Sequence, residues 1–213
     1  HAPVLFMVHG GAWRLGDKGA PAVFLHKVQR WAPQGVIVLS VNYPLLPHAT
    51  PRQQAQSLAR ALAFVQRQAP RWGGDPARLV LMGHSAGAHL IALLNADASL
   101  AHQAGAQAWR GAVALDSAAL DVPAIMQRPH PRFYDDAFGA QPADWRALSP
   151  LHQQTAATPP ILLVCSSRRA DACAQAHAYA DAAHALGARA QVLPQDLSHQ
   201  EINAQLGLDN AYT

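Results

Sequence analysis

A serine framed by glycines joins a β-rich run to an apolar helical run near the middle of the chain. The segment Gly83-His84-Ser85-Ala86-Gly87 directly follows Leu79 to Met82 and directly precedes a stretch that is apolar nearly all round through Leu94. A strand-to-helix turn this sharp forces the serine into a strained conformation, and the flanking glycines let neighbouring backbone pass close by. The pattern therefore predicts an exposed Ser85 hydroxyl at the edge of a sheet, followed by a buried helix.

Short β-rich runs alternate with longer helical patterns along the whole chain. This order is typical of an α/β fold with a mostly parallel central sheet and helices on both faces. Pro51 to Gln68 has apolar residues at helical spacing, and Ala172 to Leu186 is a second helical segment, closed by Gly187. The predicted strands are Val4 to Val8, Val36 to Val41, Leu79 to Met82, Gly111 to Leu115, Ile161 to Cys165 and Ala190 to Leu193.

Length and composition predict a single domain over residues 1–213. The chain has 213 residues, of which 50% are apolar, so it can bury a core of ordinary size. Asp121 to Pro150 breaks the alternation and is rich in proline, aspartate and aromatic residues, so we expect a lid or cap-like insertion there. The chain begins at His1 rather than at Met, which we interpret as a processed, cloned or incompletely ordered start.

Charge and hydropathy exclude two classes of partner. The formal net charge is only +3 and the arginines are scattered, so we expect no nucleic-acid binding. The apolar runs are far shorter than the roughly 18 to 20 residues of a membrane helix, so we expect no membrane span. The compartment and the oligomeric state stay open.

Cys165 and Cys173 bracket one loop, and they form either a disulfide or a pair of reduced thiols.

A serine nucleophile needs a base to remove its proton and a carboxylate to orient that base. His199 follows the last predicted strand and precedes a helical tail, where a loop can carry its imidazole back to Ser85. Asp171 lies on the loop after the strand Ile161 to Cys165, and Asp116 ends the preceding strand. We predict Asp171 as the acid and keep Asp116 as its rival.

The segment His9-Gly10-Gly11-Ala12-Trp13 follows the first strand, where a backbone oxyanion hole is expected. We assign the hole to the N–H groups of Gly11, Ala12 and Ala86. Trp13 is interpreted either as a wall of the substrate pocket or as a packed core aromatic. The G-x-G-x-x-G spacing of dinucleotide sites is absent, and no set of metal ligands accompanies the histidines, so we expect no cofactor and no metal.

Together these motifs resemble the α/β-hydrolase superfamily, in the branch of hormone-sensitive-lipase-like carboxylesterases and bacterial kynurenine formamidases. The resemblance rests on HGGAW at 9–13, VNYPLLP at 41–47 and GGDPARLVLMGHSAGAHL at 73–90. It implies a nucleophile at Ser85, an acid at Asp171, a base at His199, and no cofactor.

Three features depart from the family pattern. Ala12 stands where many members have a third glycine. The acid loop reads Cys-Ser-Ser-Arg-Arg-Ala-Asp and lacks the usual His-Gly start. Almost nothing precedes the HGG segment, so the fold is expected to lack the usual N-terminal strands or to have them outside this chain.

The resemblance implies hydrolysis of a small-molecule ester, with short-chain or aryl carboxylic esters as the first expectation. Hydrolysis of an N-formyl or aryl amide, as in kynurenine formamidases, would use the same atoms. A non-catalytic ligand-binding protein on this fold, as in the plant gibberellin receptors, is the third interpretation. The sequence does not indicate the natural substrate or the acyl-chain preference.

Overall fold

A computed structural model describes residues 1–213, which form one six-stranded sheet in which every strand is parallel to its neighbours. The strand order across the sheet is β2-β1-β3-β4-β5-β6. The carboxyl ends of the strands therefore all meet along one edge. The strands are β1 (Ala2–Val8), β2 (Ile37–Val41), β3 (Gly74–His84), β4 (Gly111–Leu115), β5 (Ile161–Ser166) and β6 (Ala190–Gln195).

Ten α-helices connect and cover these strands. They are α1 (Pro21–Trp31), α2 (Pro51–Gln68), α3 (Ala86–Ala96), α4 (Ala98–Gln103), α5 (Val122–Met126), α6 (Phe133–Phe138), α7 (Pro142–Ala147), α8 (Pro150–Gln153), α9 (Ala170–Ala185) and α10 (His199–Ala204). No helix combines the length and the apolar character that crossing a membrane requires.

The sheet is buried on both faces, because its strands present apolar side chains to each side in turn. Along β1, Phe6 and Val8 enter a core of 41 buried residues that includes α2, α3 and α9, whereas Met7 enters a core of 8 buried residues that includes α1 and α10. The first cluster is much the larger, so most of the hydrophobic stabilisation lies on the α2, α3 and α9 side.

The predicted α/β fold and all six predicted strands are confirmed. The largest difference is β3, which begins at Gly74 instead of Leu79, because the start of β1 pairs Ala2 with Gly74 and extends the ladder backwards. Helix α2 has the predicted bounds, and every residue of α3 is buried, as its apolar composition predicts. Helix α1 has no counterpart among the sequence predictions.

The segment 121–150 folds into the short helices α5 to α7 and leads into α8. It packs on the carboxyl edge of the sheet through its aromatic side chains. Phe138 lies 4.9 Å from Trp13 between ring centroids, and Phe133 and Tyr134 line the cleft described below. A lid function for this segment stays a prediction.

Candidate active site

The turn between β3 and α3 places Ser85 at the carboxyl edge of the sheet. Ser85 has φ +54° and ψ −119°, and its N–H donates to the carbonyl of Leu115 at 2.9 Å. Gly87 permits this turn, since a Cβ there would lie only 2.4 Å from the carbonyl oxygen of His9. The strained serine and the close backbone approach predicted from the sequence are therefore both present.

His199 is the first residue of α10, immediately after the loop that follows β6. A reciprocal capping box between Ser198 and Glu201 fixes the start of this helix. The Nδ1 atom of His199 lies 2.6 Å from Oδ2 of Asp116. Ser85 and His199 line one cleft of about 730 Å³, and no hydrogen bond joins their side chains in this structure.

The carboxylate beside His199 is Asp116, which corrects the sequence prediction of Asp171. Asp116 directly follows β4 with φ +53°, and its side chain is fully buried. Asp171 instead lies in the first turn of α9 with its side chain 39% exposed, and it makes no contact with His199. The reason is the course of the chain: the loop after β5 ends at Arg169, and α9 carries Asp171 away from the cleft.

Asp116 is held by donors from three separate elements. The N–H of Ser166 donates to Oδ1 at 2.7 Å, and Oδ2 accepts both the imidazole N–H of His199 and a guanidinium N–H of Arg169, the latter at 2.7 Å. Burial alone would raise the pKa of this carboxyl. The hydrogen bonds from His199, Ser166 and Arg169 outweigh burial and lower the pKa of Asp116 to about 2, so it is ionised at neutral pH.

His84 also contacts His199. Its Nε2–H donates to the carbonyl oxygen of His199 at 2.8 Å, and the two ring centroids are 4.5 Å apart. Burial, followed by the charge of His199, lowers the pKa of His84 to about 3, so His84 is neutral at physiological pH. Sequence reasoning gave His84 no part in the site. The position of His84 next to Ser85 was the one sequence signal that could have predicted its contact with His199.

The loop after β1 presents unpaired backbone N–H groups to the cleft. Gly11, Ala12 and Trp13 have φ values of +117°, +49° and +60°. The N–H groups of Gly11 and Ala12 donate no hydrogen bond within the chain, and Ala86 is the first residue of α3, whose N–H has no partner in its own helix. The three residues that the sequence assigned to an oxyanion hole thus line the same cleft as Ser85, and the oxyanion hole itself stays a prediction.

Trp13 borders the cleft but is only 2% exposed, and its ring is enclosed by aromatic neighbours. Its Nε1–H donates to Nδ1 of His89 at 3.1 Å, and His89 donates in turn to the carbonyl of Leu148 at 2.8 Å. Of the two sequence interpretations of Trp13, the packed core aromatic describes its environment better.

The two cysteines form a disulfide, which resolves the alternative that the sequence left open. Cys165 and Cys173 have their Cα atoms 5.1 Å apart. The bond encloses the loop between β5 and α9, on which Arg169 lies.

The six-stranded parallel sheet and the strained serine turn define this chain as an α/β-hydrolase. Solved structures with this fold include esterase 2 of Thermogutta terrifontis, with a TM-score of 0.78 at 22% identity, covering 97% of this chain and 78% of that one. A truncated carbohydrate esterase from gut microbiota gives a TM-score of 0.79 at 18% identity, covering 98% of this chain and 83% of that one.

The chain belongs to the BD-FAE family, whose model matches residues 1–172. Among curated relatives, the probable isoprenylcysteine alpha-carbonyl methylesterase ICMEL1 of Oryza sativa subsp. japonica is 36% identical over 109 residues, which is 51% of this chain and 24% of that protein. Esterase LipQ of Mycobacterium tuberculosis is 40% identical over 92 residues, 43% of this chain and 21% of that protein. The aligned parts thus span about a quarter or less of the length of these relatives.

Proposed function

We propose that this chain is a serine hydrolase of carboxylic esters that works through an acyl-enzyme. The observation that carries the proposal is the strained Ser85 in one cleft with the His199–Asp116 pair. The names of the relatives, which are esterases and probable methylesterases, support the same reaction class.

In the proposed reaction, Ser85 Oγ attacks the carbonyl carbon of the ester and its proton passes to Nε2 of His199. Nδ1–H of His199 donates to Asp116, which fixes the tautomer and stabilises the imidazolium. The N–H groups of Gly11, Ala12 and Ala86 stabilise the negative charge that develops on the carbonyl oxygen. His199 then protonates the leaving alcohol. Water next attacks the acyl carbon while its proton passes to His199, and His199 returns that proton to Ser85 Oγ as the carboxylic acid leaves.

The residues that line the cleft support the proposal of small, uncharged substrates. The lining includes many residues with little side chain, together with the two aromatic rings of Phe133 and Tyr134 in α6. Besides Ser85, the small residues of the lining are Gly10, Gly11, Ala12, Gly16, Ala20, Ala22, Ala86, Ser117, Ala118 and Ala119. We therefore propose short-chain or aryl esters as the substrate class, consistent with the apolar lining that most ligand sites have.

The test is covalent labelling together with turnover. A fluorophosphonate probe should label wild-type protein on Ser85 and should leave Ser85→Ala unlabelled, with the modified peptide identified by mass spectrometry. Wild type should hydrolyse p-nitrophenyl acetate, and Ser85→Ala should not. Absence of any adduct between pH 6 and 9 in folded protein would instead support a non-catalytic binding protein, and turnover of N-formylkynurenine without ester hydrolysis would support a formamidase.

A further inference from the structure

Arg169 is the one cation that contacts both members of the His199–Asp116 pair. It precedes α9 on the loop after β5, and its Nη1 lies 2.7 Å from Asp116 Oδ2 and 2.9 Å from His199 Nδ1. A second hydrogen bond runs from Nη1 to the Asp116 carbonyl oxygen at 3.3 Å. The guanidinium thus contacts the carboxylate and the imidazole at the point where these two groups meet.

With Asp116 ionised, these distances indicate that Nδ1 of His199 carries a proton. If Nδ1 lacked a proton, its lone pair would face the ionised Oδ2 of Asp116 at 2.6 Å, which is repulsive. With the proton on Nδ1, Oδ2 accepts from His199 and from Arg169 at once, using both of its lone pairs. The guanidinium then is a neighbour of Nδ1 without being its donor.

The donors to Asp116 come from the end of β5, from the loop that follows it and from α10, and the carboxylate is fully buried. A lone buried carboxylate can rotate about its χ2 angle or become protonated, and either change would release the imidazole. The planar guanidinium opposes both changes, since it occupies the second lone pair of Oδ2 and places a full positive charge beside it.

The other amino nitrogen of Arg169 points to Asp171. Nη2 lies 3.7 Å from Asp171 Oδ1, so carboxylate, guanidinium, carboxylate and imidazole alternate from Asp171 to His199. The charge of Arg169 is therefore matched within the protein, and no unpaired positive charge is left over for an anionic substrate.

We propose that Arg169 is a positioning residue, which fixes the ionised carboxylate of Asp116 in the orientation that aims His199 at Ser85, and that Asp171 orients Arg169 from behind. This inference rests on the proposed function. It also assigns a role to the loop after β5, which provides a cation beside the carboxylate of the neighbouring strand.

The first experiment is chemical rescue of kinetics with a neutral ester such as p-nitrophenyl acetate. Arg169→Ala should lower kcat by about 10- to 100-fold with little change in KM, because the imidazole is misplaced while the cleft is intact. Millimolar guanidinium chloride should restore part of the lost kcat, and sodium chloride at equal ionic strength should not. The kcat of Arg169→Lys should lie between those of wild type and Arg169→Ala, because lysine keeps the positive charge but lacks the planar guanidinium.

The matched control is Arg189→Ala, which removes an exposed arginine at the opposite edge of the sheet, just before β6. It should keep wild-type kcat and gain nothing from guanidinium. If Arg169→Ala instead keeps kcat on the neutral ester and raises KM only for esters with an anionic acyl group, Arg169 binds substrate and the inference is overturned. A loss of kcat in Arg169→Ala that guanidinium cannot restore would also overturn it.

A second experiment does not depend on turnover. The Nδ1 proton shared between His199 and Asp116 should give a low-field proton NMR signal in wild type and Arg189→Ala, and His199→Gln should lack it and so assign it. Arg169→Ala should shift or broaden that signal. An unchanged signal would refute the positioning role, whereas failure of ester hydrolysis in wild type would refute only the proposed function.

Discussion

Four residues that line the cleft have positive φ although none is glycine, and two of them, Ser85 and Asp116, directly follow a strand. Ser85 has φ +54° and Asp116 has φ +53°, each at the point where the chain leaves the carboxyl end of a central strand. Such conformations cost on the order of 1 to 3 kcal/mol each and persist only where the surroundings impose them. At both positions the strain directs a side chain into the same cleft.

The two candidate aspartates can be separated by matched amide substitutions. Asp116→Asn should lower kcat by about 10³- to 10⁴-fold, because an amide stabilises neither the Nδ1–H tautomer nor the imidazolium. Asp171→Asn should cost less than about tenfold, since its contact with Arg169 is long and partly exposed. Steady-state kinetics on a short ester measures both. The reverse ranking would restore Asp171 as the acid.

Sequence reasoning singled out Ser85 and His199, which line one cleft, but paired them with Asp171, which does not contact His199, and this has one physical reason. The serine and the histidine are marked by local chain order, a turn motif and a position after the last strand. The choice between Asp116 and Asp171 depends instead on where the loop after β5 becomes helix. Because α9 begins at Ala170, Asp171 is already in its first turn, where acidic residues favour the helix N-terminus. Three-dimensional information was needed to decide between them.

At the scale of single elements, the turn between β3 and α3 depends on contact with the loop after β1. A Cβ on Gly87 would lie 2.4 Å from the His9 carbonyl oxygen and 2.5 Å from that of Val8, and both are rigid backbone. Gly87→Ala should therefore lower the free energy of unfolding by about 1 to 3 kcal/mol and should also reduce kcat, since the loop with the oxyanion N–H groups must move.

Urea unfolding and ester kinetics of the same preparation would check this expectation for Gly87→Ala. Gly19→Ala is a suitable control, because Gly19 is exposed and the nearest atom to a methyl group added there is an Asp17 side-chain oxygen. Full stability in Gly87→Ala would show that the two loops can separate without cost.

Helices α1 and α10 are joined by two consecutive side chains of α1. His26 donates to the carbonyl of Ala204, and Lys27 donates to the carbonyl and the side-chain oxygen of Asn203 at 2.7 and 3.0 Å. These carbonyls end α10 and have no partner within it, and a cation there opposes the negative end of the helix dipole. Helix α1 thus supports the element that begins with His199.

The burial of Lys27 makes stability depend on alkaline pH. Burial lowers the pKa of Lys27 from 10.5 to about 8. Between these two values the unfolded chain holds a proton that the folded protein has lost, so stability rises with pH across that window. The unfolding free energy of wild type relative to Lys27→Met should increase by up to about 3 kcal/mol from pH 8 to pH 10.5. Urea titrations at several pH values measure this difference in unfolding free energy between wild type and Lys27→Met. A difference that does not change with pH would contradict the expectation.

The sequence marks helix α2 clearly and helix α1 weakly, so α2 could be predicted and α1 could not. Helix α2 has a strong apolar stripe, an N-terminal proline and a capping box, and its bounds were predicted without error. Helix α1 lacks a side-chain cap and follows a glycine-rich loop, and it buries a lysine on its inner face, so its sequence gives a weak signal. The buried Lys27 is explained only by the end of α10, which lies 176 positions further along the chain at Asn203.

At the scale of the whole molecule, two buried neutral histidines make the fold sensitive to acid. Burial lowers the pKa of His89 to about 4, and burial with the charge of His199 lowers the pKa of His84 to about 3. Below pH 6.5 the unfolded chain binds protons that the folded protein does not, so stability falls as pH falls. Each group contributes up to about 1.4 kcal/mol per pH unit.

The comparison of His89→Gln with wild type isolates one of these groups. The slope of unfolding free energy against pH, measured between about pH 6 and 4.5, should be smaller in His89→Gln, and the exposed His177→Gln should keep the wild-type slope. An equal slope in all three proteins would mean that other groups govern the response to acid.

The sheet as a whole was the most predictable feature, because alternation of strand and helix leaves few alternatives to a parallel sheet. The packing of residues 121–150 was not predictable in the same way. Its three helices have only five or six residues each and depend on contacts such as Phe138 with Trp13, which local propensity does not encode.

The site draws on the carboxyl ends of five adjacent strands: Gly11 follows β1, Ser85 follows β3, Asp116 follows β4, Arg169 follows β5 and His199 follows β6. No proteolytic or partly unfolded fragment can retain it, because every neighbouring pair of these strands must be in register at once. Enzymatic activity would then report global folding, and its recovery from denaturant would follow the last of these strands to pair rather than the first.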